Sequence, residues 1–132
     1  MPFDAMTPAG DAATELFMDR RRRAAELWRG VPHQVFNMGR CERGADKGCA
    51  LAWLAAERHE GWHWNGHYPI GPNNFSMYEG AAAYFGITVA YATACFAGTR
   101  ATANFHGRWF ISRVTRADVA DALLRLPVVG AP

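Results

Sequence analysis

The stretch "DAATELFMDRRRRAAELWRG", residues 11–30, decides the fold class, because its apolar residues recur at the spacing of a helix. Residues three and four apart lie on one face of an α-helix, so such a pattern gives the helix an apolar side. The residues that follow the pattern are Ala13, Leu16, Phe17, Ala24, Leu27 and Trp28. Thr7, followed by Pro8 in the first turn, is one predicted N-cap and Asp11 is a second possible start, while Gly30 and Pro32 end the pattern. The sequence therefore predicts one long amphipathic helix whose apolar face is buried by the rest of the chain.

The polar side of this helix carries four consecutive arginines, residues 20–23. Together they occupy every face of one turn, and we expect them to form a solvated surface. Asp19 with Arg23, and Arg22 with Glu26, have the spacing at which opposite charges on a helix stabilise each other by roughly 0.2–0.5 kcal/mol. Recognition of an anionic partner is the alternative function of the run.

Helix start signals recur along the rest of the chain. Asp46 is the predicted N-cap of a helix that runs to about residue 60. Ser76, in a capping box with Glu79, is the predicted N-cap of a helix that runs to about residue 85. Thr88 caps a short helix that ends at Gly98, and Thr115 caps a helix that ends at Pro127. The intervening residues 31–48 and 62–75 are rich in glycine and proline, which predicts loops, with a short strand at residues 34–38.

The segment "ANFHGRWFISRV", residues 103–114, mixes aromatic and β-branched residues around His106 and Gly107, which is typical of extended structure. The sequence thus predicts a mostly α (α+β) fold: about five helices around one core, with a small β-hairpin near residues 103–114.

Length and charge set limits on function. The chain has 132 residues, half of them apolar, which predicts a single globular domain over residues 1–132. Its 14 basic and 12 acidic residues give a net charge of +2, too close to balance for nucleic-acid binding by bulk charge. No acidic residue lies between Glu79 and Asp118, however, while four arginines do.

The cellular location is predicted from the apolar segments and from the number of cysteines. No apolar run approaches the roughly 18–20 residues that cross a bilayer, and the N-terminal region lacks the pattern of a signal peptide. The three cysteines are odd in number. We therefore expect no membrane association, reduced thiols and a cytoplasmic location.

The string "HEGWH", residues 59–63, resembles the H-E-x-x-H motif of zincin metallopeptidases. That resemblance implies zinc held by His59 and His63, with Glu60 as the catalytic base that polarises a bound water. His67 follows Gly66 as a third candidate metal ligand. Zinc is therefore the cofactor to consider, although the leading expectation is that no cofactor is needed.

The match to the zincin motif is incomplete. In the metzincin branch a third ligand would fall on Pro69, and Gly61 lies inside a motif that has to be helical, where glycine costs roughly 1 kcal/mol relative to alanine. Those enzymes also place a mostly parallel sheet before the helix, and only one helix and one short strand are expected here. In the non-catalytic alternative, His59 and Glu60 simply end a helix.

A second enzymatic hypothesis uses Cys49, which falls near the start of a predicted helix, where thiol pKa values are lowered. This layout resembles that of papain-like and NlpC-like cysteine hydrolases, which implies His106 as the base and Asn104 as its orienting residue. The residues around Cys49 carry none of those families' local signatures. A buried structural cysteine is the alternative.

A binding surface needs no catalytic group. Arg108, Trp109 and Arg113 lie close together in the acid-free interval, and Trp62 and Trp64 lie in the glycine- and proline-rich loop. Arginine and tryptophan are the residue types of interface hot spots, and both also stack on nucleic-acid bases. The alternative for each aromatic residue is burial in the core.

These patterns favour a small non-catalytic interaction domain that docks on a protein or nucleoprotein target. Lone domains of this kind are often prokaryotic or phage-encoded inhibitors or adaptors, which is an association and not a deduction. Direct nucleic-acid contact and a homodimer stay open as alternatives. Zinc-dependent hydrolysis, and after it the Cys49–His106 thiol chemistry, are the enzymatic alternatives.

Overall fold

A computed structural model of the chain describes residues 10–39 and 49–129, in which six α-helices enclose one apolar core. The helices are α1 (Asp11–Arg29), α2 (Ala50–Ala56), α3 (Met77–Phe85), α4 (Val89–Phe96), α5 (Arg100–Phe105) and α6 (Arg116–Arg125). Short 3₁₀ turns occupy His33–Val35, His59–Gly61 and Ile111–Arg113. Two short antiparallel strands, β1 (His63–Trp64) and β2 (Pro69–Ile70), complete these elements. The predicted class, mostly α with a small hairpin, is confirmed.

The hairpin lies elsewhere than expected. Residues 103–114 contain the end of α5 and a 3₁₀ turn, whereas the paired strands are in the loop after α2. Helix α5 forms because the hydroxyl of Thr99 accepts a hydrogen bond from the amide of Thr102. The hairpin between β1 and β2 turns at Asn65, whose side-chain oxygen accepts hydrogen bonds from the main-chain amides of His67 and Tyr68. The strand expected at residues 34–38 is also absent, since a 3₁₀ turn begins at His33.

Several helix ends agree with the sequence, whereas the capping of α3 and the length of α2 differ from it. Thr88 and Thr115 are N-caps as predicted, and Thr115 forms a capping box with Asp118. Ser76 occupies the N-cap position of α3, but its side chain makes no capping hydrogen bond. Helix α2 is shorter than expected: it begins after Cys49, whose sulfur accepts the amide of Ala52, and ends at Ala56. The predicted caps Thr7 and Asp46 lie outside the described residues.

Trp28 of α1 is at the centre of the core. Its side chain is fully buried, and its indole N–H donates to the carbonyl of Ala50 at 2.9 Å, which attaches α1 to α2. Its ring also packs against Phe85 of α3 and Phe96 of α4, with ring centres 6.3 and 6.0 Å away. The amphipathic helix predicted from residues 11–30 is thus the element around which the others pack.

One arginine of the run 20–23 departs from the predicted solvated face. Arg21 is fully buried, and its guanidinium donates hydrogen bonds to five main-chain carbonyls at the C-terminal ends of α3 and α6: those of Phe85, Gly86, Leu123, Leu126 and Pro127. Burial lowers the pKa of Arg21 to about 10, so it remains charged at neutral pH. The carbonyl ends of two helices carry partial negative charge and stabilise this cation. Arg21 therefore joins α1, α3 and α6.

Within residues 10–39 and 49–129, no helix is both long enough and apolar enough to cross a membrane.

Candidate functional site

Two neighbouring aromatic side chains after α5 project into solvent. Trp109 is 78% exposed and Phe110 is 68% exposed, more than any other large hydrophobic residue in the described part of the chain. Aromatic side chains of this size normally bury most of their surface in a domain this small. Large apolar groups left side by side in water are a common mark of an interaction site.

The segment that carries these aromatics is anchored at both ends. At its start, Gly107 adopts a left-handed conformation with φ of 74°, and the amide of Arg108 donates back to the carbonyl of Ala103 at 2.8 Å. At its end, the 3₁₀ turn Ile111–Arg113 leads into Val114, which is only 3% exposed. The segment that carries Trp109 and Phe110 is therefore held in place by the turn at Gly107 before it and by the buried Val114 after it.

Arg108 braces this segment against α6. Its guanidinium donates two hydrogen bonds of 2.9 Å to the carboxylate of Asp118, which also accepts the amide of Thr115. Partial burial alone would raise the pKa of Asp118, but the bonds from Arg108 and Thr115 outweigh it and hold that pKa below its usual value. Arg108 thus has a carboxylate partner within its own fold and acts mainly as a positioning group.

A cleft of about 920 Å³ lies beside the exposed aromatics. Its walls come from residues 107–110 and 112–117 and from His33 and Phe36, which follow α1. Arg116 ties these two segments together by donating to the carbonyl of Val31. None of the described residues that line the cleft is acidic. We call Arg108, Trp109, Phe110 and Arg113, all of which line this cleft, the Trp109 face.

The tryptophans of the loop after α2 are not part of this face. Trp62 is fully buried, with its ring 5.8 Å from that of Tyr84 in an edge-on contact, so the alternative of burial in the core applies to it and the candidate binding role does not. Trp64 is half-buried and packs against the core. The structure therefore brings together Arg108, Trp109 and Arg113 of the predicted binding residues, and adds Phe110. Its place directly after Trp109 in the sequence was the available signal.

The HEGWH string does not form the helical motif of a zincin. Helix α2 ends at Ala56, and Glu60 has a left-handed conformation with φ of 48° inside a 3₁₀ turn. His59 and His63 are therefore not one helical turn apart. The Nδ1 atom of His63 lies 3.0 Å from the carbonyl oxygen of Gly61, and His67 is exposed in the hairpin loop. Among the described residues, which include all three histidines, no group of three or more His, Cys, Asp or Glu side chains could hold a metal ion.

The carboxylate of Glu60 joins α1 to α3 instead. It accepts hydrogen bonds from the guanidinium of Arg23, with one nitrogen at 3.0 Å from Oε1, and from the hydroxyl of Tyr84. The bonds from Arg23 are the largest cause that lowers the pKa of Glu60, to about 2, and the Tyr84 hydroxyl adds to the effect. A carboxylate that is ionised and bound in this way is a poor proton acceptor. Arg23 pairs here with Glu60, and not with Asp19 as predicted.

His59 lies beside this ion pair. Its Nε2 atom is buried and lies 3.6 Å from Oε2 of Glu60. It has no hydrogen-bond partner among the described residues. Burial lowers the pKa of His59 more than the neighbouring carboxylate raises it, so the imidazole is neutral at pH 7. Because its free nitrogen is shielded from solvent, His59 is poorly placed to meet a substrate.

The structure removes the nucleophile from the thiol hypothesis. Cys49 is fully buried and disulfide-bonded, so it carries no free thiol, which also corrects the expectation of reduced cysteines at this position. His106 ends α5, and its Nε2 atom lies 2.8 Å from the carbonyl oxygen of Cys95. Cys95 is a free thiol, but its burial raises its pKa to about 12. Neither cysteine is an activated nucleophile.

A comparison of the chain with protein-family models, with curated proteins and with solved structures finds no match.

Proposed function

We propose that the protein is a docking domain that binds a protein or nucleoprotein target through the Trp109 face, in the manner of an inhibitor or adaptor. The observation that carries the proposal is the exposure of Trp109 and Phe110, 78% and 68%, on a segment anchored at both ends. A preformed surface loses little conformational entropy when it binds.

The size of the exposed aromatics makes them adequate anchors. Complete burial of a large apolar side chain contributes roughly 1.5–3 kcal/mol. A dissociation constant of about 1 μM corresponds to a binding free energy of about 8 kcal/mol. Trp109 and Phe110 together would thus supply a substantial part of such an affinity, in keeping with the few hot-spot residues that dominate most interfaces.

The competing enzymatic functions lack comparable support. Cys49 has no free thiol, and the carboxylate of Glu60 is bound by Arg23 and Tyr84. The proposed docking function requires neither group, and no cofactor is part of it. The cytoplasmic location stays a prediction, against which the disulfide at Cys49 argues, because disulfides persist mainly in oxidising compartments.

Site-specific photo-crosslinking in the cells from which the sequence comes tests the proposal. A benzophenone amino acid at position 110 is expected to cross-link one target, whereas the same group at Phe75, which is 50% exposed, serves as the control. With the purified target, Trp109→Ala is expected to weaken binding at least tenfold, and Phe75→Ala to leave it unchanged. Cross-linking only between copies of this chain would indicate a homodimer face, and equal binding by Trp109→Ala would refute the docking site.

A further inference from the structure

We infer that the ligand of the Trp109 face is an acidic protein segment in which carboxylates flank an apolar side chain. This inference rests on the proposed docking function and adds the chemistry of the partner. It depends on the charges that line the cleft and on how few of them are compensated within the fold.

The cleft carries positive charge that the described residues do not neutralise. Arg108 is paired with Asp118. The exposed guanidinium of Arg113, in contrast, is in none of the hydrogen bonds or ion pairs among the described residues. Arg116 donates to the main-chain carbonyl of Val31 but has no carboxylate partner within those ranges. Two cations therefore face a cleft in which none of the described lining residues is acidic, and an anionic ligand would complement them.

The same cleft offers apolar contact next to these cations. The exposed side chains of Trp109 and Phe110 line it together with the buried Phe36 and Val114. A ligand that matched only the charge would leave these rings in water, and a purely apolar ligand would leave Arg113 without a counter-charge. A segment with carboxylates on either side of a leucine or aromatic residue satisfies both requirements, since arginine binds carboxylates in a bidentate manner.

The number of free cations favours a protein over a nucleic acid. Binding of single strands depends on a track of cations that neutralises several phosphates, in addition to stacked bases. Within the described residues, the cleft has two guanidinium groups without a carboxylate partner, those of Arg113 and Arg116, and the net charge of the chain is +2. A cleft of about 920 Å³ is also large enough to enclose a few amino-acid side chains.

Selection from a random 12-residue peptide library identifies the ligand chemistry while the natural partner is still unidentified. Peptides that bind the full chain are retained only if they do not bind Trp109→Ala. We expect the retained peptides to be enriched in Asp and Glu beside Leu, Phe or Trp. Synthetic versions should bind at least tenfold more weakly to Arg113→Glu and should weaken as salt is raised. Arg125→Glu, an equal change of charge at an exposed position of α6, is the matched control.

The other outcomes overturn the inference in distinguishable ways. Retained peptides without acidic enrichment, or binding that is indifferent to Arg113→Glu, would leave the docking function standing and exclude the acidic ligand. If no peptide depends on Trp109, both proposals fail for a linear segment of protein. Binding of a fluorescent 20-nucleotide oligothymidine that requires Trp109, and is tighter than that of any peptide, would assign the face to nucleic acid instead.

Discussion

Arg108 and Asp118 form a two-pronged ion pair, with the Nε and Nη2 atoms of the arginine each 2.9 Å from a carboxylate oxygen. The pair connects the segment that displays Trp109 to the first turn of α6, where Asp118 also completes the capping box of Thr115. One carboxylate thus fixes both a helix start and the neighbouring segment that carries Trp109.

Substitution of Asp118 separates these two contributions. Asp118→Ala is expected to lower the free energy of unfolding by about 1–2 kcal/mol, because it removes the ion pair and half of the capping box. Asp118→Asn should cost less than about 1 kcal/mol, since an amide oxygen still accepts the amide of Thr115 and exposed ion pairs contribute little. Urea denaturation measures both. Asp121→Asn, at an exposed position of the same helix, is the control and should change stability by less than about 0.5 kcal/mol.

The ion pair between Glu60 and Arg23 predicts that the stability of the fold depends on pH. The pKa of Glu60 in the folded chain is about 2, below its ordinary value of 4.5, so its stabilising effect is fully present above pH 4.5. The effect is lost as pH falls from 4.5 through about 2. At pH 7, Glu60→Gln should be less stable than the wild type by on the order of 1 kcal/mol, because the pair with Arg23 is partly exposed and screened.

Urea denaturation at pH 7, 4 and 2.5 checks this expectation. The difference between the wild type and Glu60→Gln should shrink at the lowest pH. A difference that stayed constant over the whole range would show that the carboxylate charge is not what stabilises this contact.

The disulfide at Cys49 predicts sensitivity to reduction. Because Cys49 also begins α2, loss of the bond should lower the free energy of unfolding by about 2–4 kcal/mol. Addition of a reductant to the wild type should produce this loss, and the same reductant should have no effect on Cys49→Ser. If the wild type in reductant were as stable as the wild type without it, the bond would not contribute to the fold.

Close packing at Gly86 makes it intolerant of any side chain. A Cβ atom there would lie 2.5 Å from the ring of Phe17, and the residue has a left-handed conformation with φ of 68°. Gly86→Ala should therefore cost more than about 3 kcal/mol, the sum of backbone strain and overpacking. Gly107→Ala is the matched control, because its φ of 74° is similar and no atom lies within 4 Å of the added carbon. It should cost about 1–2 kcal/mol. Equal losses in thermal or urea denaturation would contradict a contact with Phe17.

The sequence predicted the helices well because amphipathic spacing and N-caps are local signals. Thr88 and Thr115 needed no tertiary information to be recognised. The hairpin was misplaced because the aromatic and β-branched residues near Phe105 favour strands, while the cap at Thr99 and the packing of α5 favour a helix. Local propensity is a weak predictor where such signals conflict.

The residues of the proposed binding face were only partly predictable, because exposure is a tertiary property. Trp62 and Trp109 have similar polar and aromatic neighbours in sequence, yet one is fully buried and the other is 78% exposed. Likewise, the four arginines at 20–23 look alike along the chain. Helical phase was the unused signal: Arg21 is spaced by four from Phe17, three from Ala24 and seven from Trp28, which places it on the buried face.

The position of Arg21 on the buried face of α1 leads to the largest predicted loss of stability. Arg21→Met should lower the free energy of unfolding by at least about 3 kcal/mol, because five carbonyls at the ends of α3 and α6 would lose a buried donor. Arg22→Met is the matched control: the Arg22 side chain is 56% exposed and, among the described residues, pairs only with Asp19, so its loss should cost less than about 0.5 kcal/mol. Arg21→Lys should be intermediate, since one ammonium group cannot reach the carbonyls of both helices. Equal destabilisation by the two methionine variants in urea denaturation would show that the charge and hydrogen bonds of Arg21 do not join the helices.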